Sequence, residues 1–457
     1  MRGQDKMNSL YKKVLKKITP SAKEIRAEKK LVEEIRHKLT KIKGKHSHLE
    51  WCGSSARGTH LKGDKDLDLF IMFEKELPAE QLEQEGIRIA KTIFRGHKWE
   101  KAYSQHPYLR GEINGFEVEI VPSYIVPSGK EKQSAVDRTP FHNKYLLKKF
   151  SEKQKQDARL LKQFLKGINA YGADLKNCAL PGYGVELLIV YYGSFDKAIK
   201  AIAGWKEKET ILLEKRERNP REDFFTPLII IDPVDENRNV ASALSEKQYE
   251  KMKLAAQKFL EKPSEKFFFG TSITIWSKQK IIEELKKREF MAIQAEFPKK
   301  ILSDLVWGQL RRYLRKAANQ LEEKDFIVKK TDLWSDEDKV FFLYELKELN
   351  LSKTKKVFGP PVSDKENVKK FLEKKRKIIS GPKKENGRIL LEVEREKTNA
   401  KQVLQEYVNE CKTQESDGMK VCLRKAKVLT EKDLLEHYKG ALAEHLTKYF
   451  EGKEAFE

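Results

Sequence analysis

A glycine-serine turn, two aspartates two residues apart and a pair of later glutamates are the residues of this chain best suited to chemistry. The turn is Gly53-Ser54, followed by Ser55-Ala56-Arg57-Gly58; the pair is Asp66-Leu67-Asp68; the glutamates are Glu117 and Glu119 in Phe116-Glu117-Val118-Glu119-Ile120-Val121-Pro122. Side chains at i and i+2 of a strand leave one face, so Asp66 and Asp68 project together. A second strand alongside can add Glu119. Three carboxylates in one spot repel each other unless divalent cations sit between them. Two ions roughly 3.5–4 Å apart, clamping the attacking and leaving oxygens, are what phosphoryl transfer requires of such a cluster.

The surrounding residues sharpen this reading. Leu69-Phe70-Ile71-Met72-Phe73 is a nearly continuous apolar run and predicts a strand buried on both faces. Carboxylates at the opening of such a strand need a partner, and metal is the best one. Asp64 reads as a loop residue. Glu117 and Glu119 share a face, and periodicity does not choose between them. A Gly/Ser turn entering a short helix presents N–H groups and a hydroxyl to a phosphate. Gly53-x4-Gly58 has P-loop spacing, but Thr59 stands where that motif requires lysine, so the Walker reading fails. Alone, Gly-Ser is an ordinary turn; with Arg57, Gly58 and the Asp-x-Asp pair it is a specific combination.

The elements that must position these residues follow from pattern. A helix is expected over 21–43, capped by Ser21, then strands at 49–51 and 67–73, a helix over 79–95, and strands over 98–104 and 116–121. This is an α/β unit ending near residue 150. From 151 to 262 the period is mainly helical: Leu161, Phe164, Leu165 and Ile168 recur at helical spacing, 187–192 suits a buried helix, and 229–231 suits a short buried strand. From 263 to 457, strands are expected at 267–269, 271–276, 291–297, 326–330 and 340–346, with a helix over 302–322. That alternation predicts a small α+β sheet with helices on one face, followed by helices over 364–379 and 430–450.

Composition limits the function classes. The 457 residues suffice for about three domains. Charged residues reach 36%, against a usual share of about 25%, and 93 Lys plus Arg over 70 Asp plus Glu leave a net charge of +23. Such a chain attracts polyanions and releases counterions on phosphate contact; the alternative is a heavily charged, thermostable surface. The cysteines, Cys52, Cys178, Cys411 and Cys422, show no C-x-x-C spacing, which argues against structural zinc and for a reduced, intracellular setting. No stretch approaches about 18 unbroken apolar residues, and the N-terminus lacks a signal-peptide core, so a cytoplasmic protein is expected. Arg311, Arg312, Arg315 and Lys316 form a basic helical cluster that either lines an RNA groove or faces water. Lys374-Lys375-Arg376-Lys377 is explained as well by a solvated helix face.

The stretch 53–70, the Phe116–Pro122 segment and Ser134-Ala135-Val136-Asp137-Arg138-Thr139-Pro140-Phe141-His142 closely resemble the archaeal-type (class I) CCA-adding enzymes, tRNA nucleotidyltransferases of the DNA polymerase beta-like superfamily. The likeness continues through Tyr171-Gly172, Gly182-Tyr183-Gly184-Val185-Glu186-Leu187-Leu188, Tyr192-Gly193-Ser194-Phe195, Asp232-Pro233-Val234-Asp235-Glu236-Asn237-Arg238-Asn239-Val240 and Gly359-Pro360-Pro361, with Asn367-Val368 and Phe371-Leu372 after it. It covers nearly the whole chain.

The resemblance implies a polymerase beta-like catalytic head (1–150), a mainly helical nucleotide-binding neck (151–262) and an α+β body with a helical tail (263–457) that binds the tRNA acceptor arm. It places Asp66, Asp68 and Glu119 on the family's three metal-binding carboxylates, the third commonly Asp, with Mg²⁺ as cofactor. Gly53 and Ser54 fall at the triphosphate, with Arg57 among the nucleotide-binding residues; His142, Lys162 and Tyr171 fall at triphosphate and sugar; Arg238 at the base. Arg311, Arg312, Arg315 and Lys316, singled out by charge and spacing rather than by the resemblance, are the candidate RNA-binding residues. Read without the family, His142 is a structural histidine, Lys162 a solvated lysine on a helix's polar side, Tyr171 a packing residue and Arg238 a bridge to Asp235. The implied reaction is template-independent addition of C, C and A from CTP and ATP to the tRNA 3′ end; a homodimer is compatible with it. A poly(A) polymerase or oligoadenylate synthetase relative, and a non-catalytic RNA-binding protein on the same scaffold, are the alternatives.

Overall fold

Leu67 to Phe73 form the middle of a five-stranded sheet in which both faces of the strand are covered. The strands are β1 (His46–Cys52), β2 (Asp66–Glu74), β3 (Trp99–Tyr103), β4 (Pro107–Ile113) and β5 (Phe116–Ile125), in the order β1-β2-β5-β4-β3. Only β2 and β5 pair in parallel. Period-2 alternation divides β2 between two cores. Leu67, Leu69, Ile71 and Phe73 join the apolar faces of the helices Ala22–Thr40 and Ala79–Ile93; Phe70 and Met72 meet Cys52 and Val121 on the other side. Asp66 and Asp68 belong to the second face. The computed structural model describes all residues except 1, 104–105, 218, 272, 299–302, 375, 414–422, 455 and 457; Cys422 and Lys375 therefore lie outside the described residues.

The predicted helix over 21–43 forms as Ala22–Thr40, with Ser21 and Glu24 closing a capping box. Three further helices carry the groups that matter below: α1 (Thr139–Lys149), α2 (Glu152–Gly167) and α3 (Gly182–Tyr192). Ser151 and Gln154 cap α2 in the same way, and Gly193 ends α3 in the left-handed conformation. Five buried residues form β7 (Leu228–Asp232), which pairs with β6 (Glu209–Ile211) and with β8 (Asp235–Asn239).

The chain divides into two compact units, Met1–Ser272 with Glu454–Glu457, and Ile273–Lys453. In the second, β9 (Glu289–Glu296), β10 (Val328–Ser335), β11 (Lys339–Leu346) and β15 (Lys427–Leu429) form an antiparallel sheet ordered β10-β11-β9-β15. Helices cover both faces, not one as expected. Met291, Ile293, Phe342 and Tyr344 face the helices Ser303–Glu323 and Ala400–Thr413, while Phe290, Ala292, Phe341 and Leu343 face Lys278–Lys286 and Gly440–Glu451. Strands of alternating but wholly apolar residues require such a two-sided cover.

Other expectations also give way. Phe267–Phe269 lies in a helical turn, Lys266–Phe269, with Phe267 and Phe268 buried; residues 273–276 are not a strand. The helix expected over 364–379 stops at Leu372, and its end is β13 (Ile378–Glu385). With β12 (Thr354–Pro361) and β14 (Arg388–Glu394) it makes a second small sheet, ordered β12-β14-β13. The segment 430–450 breaks into Glu431–Glu436 and Gly440–Glu451.

Candidate active site

The parallel register of β2 and β5 sets Asp68 opposite Glu119 and Asp66 opposite Glu117. Asp66 is exposed at the strand's open end; Asp68 and Glu119 are half-buried. Burial, then the Asp68 charge, pushes the Glu119 carboxyl up to about 7. Burial also raises Asp68; Arg57 opposes the shift and Asp66 adds to it. Asp66 is raised by burial, by Glu117 and by Asp64. The Tyr108 hydroxyl donates to Glu119 Oε1 at 3.4 Å, and Glu117 meets Arg110 at 3.4 Å.

The turn ahead of β2 is shaped around Asp68. Gly53 opens the five-residue helix Gly53–Arg57 at φ +75°, and a Cβ built there would lie 1.7 Å from Asp68 Oδ2. Only glycine lets the turn come this close. Among the described residues, the Asp68 carboxylate makes no side-chain hydrogen bond or ion pair, and no group of three His, Cys, Asp or Glu side chains is gathered as a metal cage. Mg²⁺ is usually held by one or two carboxylates together with substrate phosphates and water, not by an all-protein cage. An unpaired Asp68 facing Glu119, with Asp66 on the same face, is an oxygen donor set that fits this manner of binding.

Behind the turn lies a buried charge cluster. Glu186 on α3 is fully buried and accepts from Arg57 Nε at 3.0 Å and Nη2 at 2.7 Å, from Lys162 Nζ at 2.8 Å, and from the Thr59 hydroxyl. Arg57 also donates to Asn143 Oδ1 at 3.3 Å, and Lys162 to the Thr59 carbonyl at 3.3 Å. Burial alone would raise the Glu186 carboxyl; the Arg57 and Lys162 charges overcome it and hold the pKa at about 2. Lys162 is thus not the solvated lysine of an amphipathic helix. Arg57 has its guanidinium committed to internal partners.

His142 and Arg238 meet at a second carboxylate. His142 Nε2 and Arg238 Nη1 each lie 2.8 Å from Asp232 Oδ2. The sequence offered Asp235 as the bland partner for Arg238, but Asp235 is taken by Lys132 at 2.6 Å and Arg138 at 2.9 Å. Tyr171 is half-buried, bridges to Leu180 and carries the Lys166 ammonium 5.4 Å over its ring. Lys166 also holds Asp64 at 2.9 Å. Ser54 is half-buried beside Gly53, and its carbonyl accepts from the Thr59 amide at 2.9 Å.

In the second unit, Arg311, Arg312, Arg315 and Lys316 are all exposed on the helix Ser303–Glu323. Arg312 and Lys316, with Asn319 and Gln320, line a groove of about 480 Å³.

The profile of the nucleotidyltransferase domain matches residues 27–142, that of the tRNA nucleotidyltransferase second domain 156–269, and that of the CCA-adding enzyme C-terminal domain 277–428. A CCA-adding enzyme of Saccharolobus shibatae is 35% identical over 399 residues, 87% of this chain and 92% of its own length. The chain belongs to the CCA-adding enzyme family. It is accordingly a nucleotidyltransferase with a polymerase beta-like head. CCA-adding enzymes of Sulfolobus acidocaldarius (34% over 396 residues, 87% and 90% covered) and Methanosarcina mazei (36% over 408 residues, 87% and 88%) are similar to it as well. The solved structure of a cytoplasmic RNA terminal U-transferase aligns with 59% of the chain and 100% of its own at 16% identity and a TM-score of 0.46.

Sequence reasoning assigned no role to Glu186, Asp232, Tyr183 or Asn143, though the first three stand within the motifs of the resemblance. Glu186 carried a signal: it is the lone charge within Val185–Val190, an otherwise apolar run, and a charge buried in such a helix needs partners.

Proposed function

We propose that this CCA-adding family member extends the 3′ end of tRNA by C, C and A from CTP and ATP, releasing pyrophosphate at each step. The observation that carries the reading is the Asp68–Glu119 pairing across parallel strands, with Asp66 on the same face and Gly53 against Asp68. Asp66, Asp68 and Glu119 are the residues assigned to hold Mg²⁺. When bound, the metal lowers the hydroxyl's pKa and offsets charge on the oxygens of the transferred phosphoryl group.

The remaining roles belong to the chain's own groups. The RNA 3′-hydroxyl attacks the α-phosphorus, the bond to the bridging oxygen breaks, and pyrophosphate leaves with the electron pair. Glu119, opposite Asp68 across the two strands, is the carboxylate assigned to help accept the hydroxyl proton. Gly53 and Ser54 seat the triphosphate, with His142 and Tyr171 at triphosphate and sugar and Arg238 at the base. Arg57 and Lys162 keep this seat electropositive from behind, because two cations share the single carboxylate Glu186. Arg311, Arg312, Arg315 and Lys316 attract the acceptor arm, whose duplex is recognised through shape, phosphates and 2′-hydroxyls. This division of labour follows the boundaries 1–150, 151–262 and 263–457. No helix among the described residues is long and apolar enough to cross a membrane, and the proposed setting is the cytoplasm, where tRNA is processed.

The test is purified protein with Mg²⁺, tRNA lacking its last three nucleotides, and labelled CTP or ATP supplied separately. CTP alone should add two residues and stop; ATP should then add one. A run of A added from ATP alone would favour the poly(A) polymerase alternative, and no addition of either would leave only RNA binding.

A further inference from the structure

Asp232 ends β7, a strand whose five residues are all buried. A carboxylate stripped of water is costly unless donors replace the water. Four donors converge on it: His142 Nε2 and Arg238 Nη1 on Oδ2, both at 2.8 Å, and the Val234 amide at 3.1 Å and Tyr183 hydroxyl at 3.2 Å on Oδ1. Burial alone would raise this carboxyl, but the His142 hydrogen bond and the Arg238 guanidinium bring its pKa to about 2; burial lowers the His142 pKa, so the imidazole contributes through its N–H rather than a charge. An ionised carboxylate only accepts, so His142 donates from Nε2.

The groups around Asp232 are held to different degrees. His142 lies against Tyr183, ring centroids 4.1 Å apart and planes at 30°, so its imidazole is fixed by stacking as well as by the hydrogen bond. Arg238 is 31% exposed, and among the described residues Asp232 is the only hydrogen-bond partner of its side chain. The guanidinium fork therefore has one arm anchored and its other N–H groups open.

We propose that Asp232 is a positioning residue for nucleotide choice, tying the base-side Arg238 and the phosphate-side His142 to one carboxylate so that the base edge is tested at a set distance from the triphosphate. The inference deepens the proposed function and rests on its assignment of Arg238 to the base. An arginine on a loose four-atom stem can follow the edge of a wrong base. A fixed donor cannot, and a mismatched base then leaves polar groups unpaired, which is where hydrogen-bonded selectivity comes from.

The experiment uses the full chain with Asp232→Asn, Arg238→Ala and the double variant. Single-nucleotide addition is measured as kcat/KM for CTP against UTP on tRNA lacking its last three nucleotides, and for ATP against GTP on tRNA ending in CC. Asp232→Asn should lower both selectivity ratios roughly tenfold, the scale of one charged hydrogen bond, while changing saturated kcat with the correct nucleotide less. Arg238→Ala should do the same, and the double variant should be no less selective than Arg238→Ala alone. Relaxed selectivity in Arg238→Ala with wild-type ratios in Asp232→Asn would overturn the inference and leave the reading of Arg238 standing. Independent, multiplying effects in the double variant would also overturn it. Unchanged ratios in Arg238→Ala would remove the base-reading role, and the inference with it. Should Asp232→Asn not yield folded protein, Asp232→Glu keeps the charge and moves it by one methylene: a fall in both ratios supports the inference, and wild-type ratios overturn it.

Discussion

Arg57 and Lys162 in the first unit and Arg312, Arg315 and Lys316 in the second carry the same charge under opposite conditions. The first pair is 6% and 2% exposed and bound to Glu186. The second group stands in water on a helix whose other side buries Val306, Leu310, Ala317 and Leu321. A buried charge has given up its hydration and holds its position only while its partner remains. An exposed charge keeps its hydration, acts over a Debye length and is screened by salt. On the proposed function, one unit would use cations as a framework for chemistry and the other as an attractive surface for a polyanion.

If that contrast is right, substitutions in the first unit should alter chemistry or folding, and those in the second should alter RNA affinity alone. The largest effect belongs to Asp68→Asn, which should cut nucleotide addition by roughly 10³-fold or more. Its melting temperature should not fall, since a half-buried carboxylate without a partner is being neutralised; full activity would end the assignment of this acid. Next is Glu186→Gln, which leaves Arg57 and Lys162 short of a counter-charge. Breaking such a pair costs about 3–5 kcal/mol, read as a lower denaturant midpoint; an unchanged midpoint would show that the buried cations need no anchor.

The pH dependence sharpens the same point. Glu186 has its folded pKa depressed to about 2 from an ordinary 4.5, so its stabilisation is complete above that ordinary value and is lost as pH falls through the depressed one. The stability gap between the wild type and Glu186→Gln should therefore narrow between pH 4.5 and 2, measured by denaturant midpoints across that range; a constant gap would contradict the ion-pair account. The smallest effect is in the second unit. Replacing Arg312, Arg315 and Lys316 together by alanine should weaken RNA binding and flatten its salt dependence by about one unit of log–log slope per lost phosphate contact. The KM for CTP should stay put, and a shift in it would blur the division between the two regions.

The parts of the fold legible in the sequence are those where one physical signal dominates. Leu69–Phe73 could only be a buried strand, and Ser21 with Glu24 announced the start of a helix. Asp66 and Asp68 were readable for the same reason, as charges opening an apolar run. The choice between Glu117 and Glu119 was not. Both share a face, and only the β2–β5 register puts Glu119 opposite Asp68 while Glu117 meets Arg110. The β12-β14-β13 sheet escaped notice because β12 and β13 bring Lys355, Lys356, Lys383 and Lys384, and lysine-rich strands lack the apolar alternation by which strands are recognised. Phe267–Phe269 failed in the opposite way: an aromatic run suits a strand, but Phe267 and Phe268 are drawn into the core around Phe164 and Phe259, which a short helical turn serves.

Gly53 and Asp68 compete for one volume: a methyl group at the first would stand where the second keeps an oxygen. Substitutions at the two positions are therefore expected to be coupled rather than independent. A mutation that adds a side chain at 53 silences the acid while leaving its codon intact. A lineage that had surrendered the carboxylate could admit asparagine at 53, the residue most tolerant of that backbone geometry after glycine. The residue at position 53 thus decides whether the acid at 68 has room in this turn.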